Sequence, residues 1–211
     1  MAGEGPFRLR RGPLEAVALV RYIPRSRGAR HHADTVSRAL FLAKVMPDHA
    51  ATWARDWAAL LVPLAPEGAE VVACPPRSRR RAARHYFAGL LAEALAERLG
   101  LPLVPLTWAT EGAESSHHIA HQAGKARSRA RRAEVCGPVA GRRVLLCDDI
   151  ATTGLTLEVC AAALTAAGAE TVSCVVLAMT ERTERRPAAE RARIRERAAL
   201  RRRNATEGVL S

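Results

Sequence analysis

A chain of 211 residues can bury one substantial core and is too short for two comfortable ones, so a single domain with extensions is expected. Its 33 basic against 21 acidic residues, a net charge of +12, suit a polyanionic partner such as nucleic acid or a phosphorylated small molecule, or simply a solvated basic surface; Lys44 and Lys125 are the only lysines. Cys74, Cys136, Cys147, Cys160 and Cys174 include no C-x-x-C pair, which argues against a zinc ribbon or a disulfide framework. The early apolar run "AVALV" is too short for a signal core or a membrane span, so no membrane partner and a reducing cytoplasm are the expectation.

Residues 1–12, Gly-rich and basic, read as a flexible arm. "EAVALVRYI" (Glu15 to Ile23) reads as a strand and "PRSRGARHH" as a basic turn. From Asp34 to Leu61 the apolar residues Val36, Leu40, Val45, Trp53, Trp57 and Leu60 recur near helical spacing, with Pro47 dividing two helices and the tryptophans assigned to the core. Then "EVVAC" is a buried-type strand, "PPRSRRRAAR" a basic loop, "HYFAGLLAEALAERL" an amphipathic helix stopped by Gly100, and "LPLVPL" a second strand.

Residues 107–139 show no sustained periodicity and are longer than a passive connection usually runs, which fits a lid or a disordered insert. After them the strand–helix–strand grammar repeats: "RRVLLCDD" is a strand, "IATTGLT" a turn, "LEVCAAALTAAG" a helix ending at Gly168, and "ETVSCVVLAM" a strand. Two such βαβ units imply an α/β fold, an open, mostly parallel twisted sheet with helices on both faces and ligands at the carboxyl ends of its strands. The domain so defined spans 13–180, and 181–211 form an Arg-rich tail outside it.

Asp148 and Asp149 fall at such a strand end, followed at once by a Thr-Thr-Gly turn. Ionised carboxylates accept hydrogen bonds from the vicinal hydroxyls of a ribose. The turn from Ala151 through Thr152, Thr153, Gly154 and Leu155 to Thr156 supplies hydroxyls and successive backbone N–H groups at a helix start, which suits a phosphate. Acids for a sugar and a nest for its 5′-phosphate therefore lie side by side.

"VLLCDDIATTGLT" resembles the phosphoribosyl pyrophosphate (PRPP) binding motif of type I phosphoribosyltransferases. Within that superfamily the chain is similar to the competence-protein ComF branch over roughly residues 14 to 180. "CPPRSRRRAARHYFA" keeps Arg84 and the aromatic Tyr86 of that branch, while His85, Phe87 and Ala88 depart from its Gly, Asn and Gln; "HQAGKARSRARRAEV" keeps Gln122 and Gly124. The resemblance implies Mg²⁺ bridging pyrophosphate and ribose hydroxyls, held by substrate rather than directly by the protein, and displacement at the anomeric carbon with pyrophosphate leaving. PRPP or a nucleoside monophosphate would be the ligand, with Asp148 and Asp149 catalytic; a homodimer is admitted but not required.

Arg77, Arg79, Arg80, Arg81 and Arg84, in the loop after a central strand, are the pyrophosphate candidates, and Lys125 in the 107–139 loop is a candidate catalytic cation delivered by a closing lid. Two other readings compete. A non-catalytic accessory protein would sense PRPP or bind single-stranded DNA or RNA through its basic tail. A metal-dependent hydrolase would use Asp148 and Asp149 as ligands but leaves the T-T-G-x-T turn unexplained. "HHIAH" spaces His117 and His121 as helical metal ligands, without the Glu or third ligand that would complete a site.

Overall fold

The computed structural model describes residues 6–11, 14–77, 86–109 and 132–180. Seven strands form one sheet: β1 (Phe7–Arg11), β2 (Leu14–Tyr22), β3 (Val71–Cys74), β4 (Leu103–Trp108), β5 (Ala133–Val135), β6 (Arg143–Ala151) and β7 (Thr171–Thr180). Their order is β1-β2-β7-β6-β3-β4-β5. The five from β2 to β4 run parallel, and β1 and β5 close the edges antiparallel. The expected α/β architecture is therefore present. The helices are α1 (Ala29–Ala33), α2 (Thr35–Ala43), α3 (Pro47–Leu61), α4 (Phe87–Leu99) and α5 (Leu155–Ala166).

Period-2 alternation sorts the central strands onto two cores. Val72 and Cys74 of β3, Leu145 and Cys147 of β6, and Val175 and Leu177 of β7 pack with α2, α3 and α4. Val71 and Ala73, Val144 and Leu146, and Cys174 and Val176 pack on the other face with Leu157, Cys160 and Leu164 of α5. β3 leads by way of α4 to β4 on one side, and β6 by way of α5 to β7 on the other. The switch point of an open sheet, where such folds bind ligands, therefore lies between the carboxyl ends of β3 and β6.

Three expectations need correction. The segment read as a loose arm contains β1, paired with β2 from Phe7↔Ala18 to Arg11↔Leu14; a strand edge offers backbone partners that composition does not reveal. The 107–139 stretch read as a loop begins in β4 and contains β5, Thr107 pairing with Glu134 and Trp108 with Ala133; residues 110–131 lie outside the described part. On α3 the buried stripe is Ala50, Ala54, Ala58 and Leu61, while Trp53 and Trp57 are half-buried and stacked on each other, and Leu60 is 54% and Val36 of α2 43% exposed. The α3–α4 packing is close enough to select alanines, so the largest apolar side chains flank the contact and Trp57 meets Phe87 edge-on. The division at Pro47 is as expected, with Pro47 in the first turn of α3. The tail 181–211 lies outside the described residues.

Candidate functional site

Asp148 and Asp149 lie in β6 as expected, and the strand runs two residues further, taking in Ile150 and Ala151, which were expected in the turn. Asp149 reaches Lys44 of α2, and both acids line one cavity. Each carboxylate takes a neighbouring backbone donor: Asp149 N–H donates to Asp148 Oδ1 at 2.8 Å, and Ile150 N–H to Asp149 Oδ1 at 2.6 Å. At this level the regular face alternation slips, since Ile150 packs on the same core as Leu145 and Cys147.

The two acids have different partners. Lys44, the C-cap residue of α2, places Nζ 2.8 Å from Oδ1 and 2.7 Å from Oδ2 of Asp149, which is only 6% exposed. Asp148 is half-buried. Burial first, then the neighbouring charge of Asp149, pushes its carboxyl up to about 7, against the lowering influence of Lys44 and of the Asp149 N–H. Nearby thiols stay protonated for related reasons: burial and then the Asp148 charge hold Cys74 up at about 11 and Cys174 at about 12. Cys74, Cys147, Cys160 and Cys174 are buried and only Cys136 is exposed, so these are packing residues rather than nucleophiles.

A cavity of about 570 Å³ opens at the switch point. Its first wall is the motif: Asp148, Asp149, Ile150, Thr152 and Thr156 line it. The remaining motif residues shape the turn. Ala151 is buried behind the wall, Thr153 Oγ1 accepts the Leu155 N–H at 3.4 Å, and Gly154 takes a left-handed conformation (φ 73°) as it caps α5. A side chain at such a φ is strained, and Gly permits the chain to enter the helix directly from the Thr pair.

The second wall follows β3. Pro75, Pro76 and Arg77 continue from the strand end, and Tyr86, Phe87 and Ala88 begin α4. The Tyr86 hydroxyl donates to Pro75 O, tying the start of α4 to the end of β3. Arg77 is exposed at the cavity. The other pyrophosphate candidates, Arg79, Arg80, Arg81 and Arg84, lie outside the described residues, as do Lys125, His117 and His121. The structure therefore brings together Asp148, Asp149, Thr152, Thr156 and Arg77 from the expected set.

It also supplies a residue that sequence reasoning passed over. Lys44 is one of only two lysines, the same rarity that drew attention to Lys125, but it lies 105 residues from its partner on a helix with no motif of its own.

Among the described residues no cluster of three or more His, Cys, Asp or Glu is arranged to hold a metal unaided. The donor set still fits Mg²⁺. This cation commonly keeps one or two carboxylates and takes its other oxygens from phosphate and water, and Asp148 is an acid whose own charge is incompletely offset.

Paired acids, a hydroxyl-rich turn at a helix start and an Arg thus surround one cavity at the switch point of an open, mostly parallel sheet. The phosphoribosyl transferase domain family matches residues 86–198, more than half of the chain, and the chain belongs to that family. No curated protein sequence matches it significantly. Among solved structures it is similar to the purine phosphoribosyltransferase from Pyrococcus horikoshii Ot3, with 21% identity over 65% of this chain and 78% of that one and a TM-score of 0.40. It is also similar to the adenine phosphoribosyltransferase from Thermoanaerobacter pseudethanolicus, at 18% identity over 63% and 82% with a TM-score of 0.37. Phosphoribosylpyrophosphate synthetase from Mycobacterium smegmatis matches at 22% identity over 60% of this chain and 33% of that chain, with a TM-score of 0.37. Among the described residues no helix is long and apolar enough to cross a membrane.

Proposed function

We propose that the protein is a phosphoribosyltransferase that binds PRPP with Mg²⁺ and transfers ribose 5-phosphate, releasing pyrophosphate. The observation that carries this reading is that Asp148, Thr152, Thr156 and Arg77 share one cavity at the switch point of the sheet.

In this reading the start of α5 and the hydroxyls of Thr152 and Thr156 hold the 5′-phosphate, since the first N–H groups of a helix have no partner within it. Asp148 accepts the ribose hydroxyls. Asp149, already neutralised by Lys44, fixes the geometry of that end of β6. Arg77 draws on the pyrophosphate as negative charge develops there, a contribution of oriented charge rather than of covalent chemistry. Mg²⁺, held mainly by ligand oxygens with Asp148 beside it, would screen the pyrophosphate charge as it leaves.

We place the chain with the ComF-like branch on its "CPPRSRRRAARHYFA" and "HQAGKARSRARRAEV" stretches. Calorimetric titration of PRPP with and without Mg²⁺, followed by an assay of pyrophosphate release against a panel of nitrogenous acceptors, tests the proposal. Absence of PRPP binding overturns it. Binding without release under any acceptor reduces it to a PRPP-sensing protein.

A further inference from the structure

The third wall of the cavity is chemically unlike the other two. It comes from residues 22–45 and presents Tyr22, Arg25, Phe41, Lys44 and Val45. This wall is firmly built. Ser37, fully buried, accepts the Ile23 N–H at 2.7 Å, and the buried His31 donates from Nδ1 to Ile23 O at 2.7 Å, so that α1 and α2 hang from the end of β2. The His31 ring meets Tyr22 and Phe41 edge-on at 6.1 Å and 6.2 Å. Asp34 caps α2 through the Ser37 N–H at 2.6 Å.

Arg25 is exposed, with its guanidinium carbon 4.5 Å from the centre of the Phe41 ring, and among the described residues it pairs with no carboxylate. Lys44 is committed to Asp149. The side chains of this wall thus offer two aromatic rings and a guanidinium fork. Apart from the Tyr22 hydroxyl, none of them can accept a hydrogen bond. A neutral nucleobase can stack on these rings but brings no anionic group for the Arg25 fork to hold. A flat ring carrying a carboxylate meets both features, its face on an aromatic side chain and its two oxygens on the Arg25 fork.

We infer that the wall of residues 22–45 is the acceptor half of the cavity and takes a planar aromatic acid, a nitrogen heterocycle bearing a carboxylate, with Arg25 as the specificity-determining residue. The inference rests on the transferase reading above. In the reaction, the ring nitrogen forms its bond to the anomeric carbon as the bond to the pyrophosphate oxygen breaks, and pyrophosphate leaves with that electron pair. A pyridine-type nitrogen keeps the positive charge so created, whereas an N–H nitrogen releases its proton to water.

Ligand-observed NMR titrations of the full chain with Mg²⁺, using ribose 5-phosphate in place of PRPP so that no turnover intervenes, test the assignment. The probes are shape-matched pairs, pyridine-3-carboxylate against pyridine-3-carboxamide and uracil-6-carboxylate against uracil, with PRPP affinity measured separately by calorimetry. At least one acid should bind about tenfold or more tightly than its neutral partner. Arg25→Ala should abolish that preference and leave PRPP affinity within about twofold, because it removes a contact to the acceptor alone. Equal binding of both members of each pair overturns the inference, as does binding of PRPP by a protein that takes none of the four probes. A loss of PRPP affinity in Arg25→Ala equal to the loss of acid affinity would make Arg25 a pyrophosphate ligand and also overturn it. A wild-type protein that fails to bind PRPP overturns the transferase reading itself, an outcome visible in the calorimetry alone.

Discussion

The motif wall and the wall of residues 22–45 are assembled in opposite ways. The first is contiguous: two acids, a turn and a helix start within nine positions, each group placed by the backbone next to it. The second reaches the site from far away in the chain, through Lys44 on a helix end and through buried His31 and Ser37 that hold the helices to β2. Where the walls meet, adjacent and chemically identical acids become different. Asp149 pairs directly with Lys44, while Asp148 feels that lysine only as a neighbouring charge that partly offsets its own. Sequence adjacency thus marks the site, while the partner from the other wall assigns the roles within it.

The largest expected effect concerns the acids together. Asp148→Asn with Asp149→Asn keeps the shape of both side chains but removes charge-assisted hydrogen bonds worth about 1.5–3 kcal/mol each, so PRPP affinity should fall by about 3 kcal/mol or more with the fold retained. The singles sharpen the comparison. Asp148→Asn should carry most of the loss of affinity, and Asp149→Asn should act chiefly on stability by stranding Lys44. Calorimetry and thermal unfolding on all three variants check this; equal affinity losses from the two singles would remove the division of roles.

The second effect is a pH dependence peculiar to Asp148. Its folded carboxyl is raised to about 7, above the unfolded value, so between roughly pH 4 and pH 7 the native state binds more protons than the unfolded chain. The stability associated with the protonated acid is fully present below that window and is lost as pH rises through it, on the order of 2 kcal/mol after allowance for partial solvent access. In metal-free buffer Asp148→Asn should be relatively more stable than wild type at pH 8 and lose that advantage at pH 4. Chemical denaturation at both values measures it.

How much of this was legible in the sequence follows the same division. The βαβ grammar, Gly100 as the stop of α4, Pro47 at the head of α3 and the acids at a strand end are local patterns, and the structure contains each of them. Lys44 was not legible as a site residue because its partner lies 105 positions away, and His31 sits in a stretch read as a basic turn although its ring is 2% exposed. β1 was missed because a short edge strand depends on the neighbour that pairs with it. The i, i+4 spacing of Trp53 and Trp57 points to the core, whereas helix–helix proximity gives the innermost positions to alanine. Local chemistry can be read from a chain in order. Contacts that close across the sheet cannot.

The third prediction tests the junction of the walls directly. Lys44→Met leaves the nearly buried Asp149 charge without its partner and should destabilise the fold by about 1–3 kcal/mol. Combined with Asp149→Asn, most of that cost should disappear, giving a double-mutant coupling of about 1–2 kcal/mol by denaturant unfolding. Additive effects would show that the 2.7 Å pair contributes nothing beyond its separate halves.

The smallest effect comes from backbone conformation, where two left-handed glycines separate stability from binding. Gly154 caps α5 at φ 73° inside the motif wall, and Gly100 ends α4 at φ 65° away from the cavity, with nothing within 4 Å of where a Cβ would stand. An Ala at either position must adopt a left-handed conformation, at about 1 kcal/mol, which in a chain of this size lowers the melting temperature by roughly 2–4 °C. Gly154 is buried and Gly100 exposed, so the penalty at Gly154 should be at least as large. The consequences for PRPP should differ in kind: Gly154→Ala tilts the turn that aims Thr152 and the first N–H groups of α5, whereas Gly100→Ala touches no wall of the cavity. Calorimetry should find PRPP affinity weakened in Gly154→Ala and unchanged in Gly100→Ala. If both variants lose stability and both keep wild-type affinity, the 5′-phosphate is not held by the Thr-Thr-Gly turn, and the motif wall loses half of its assigned work.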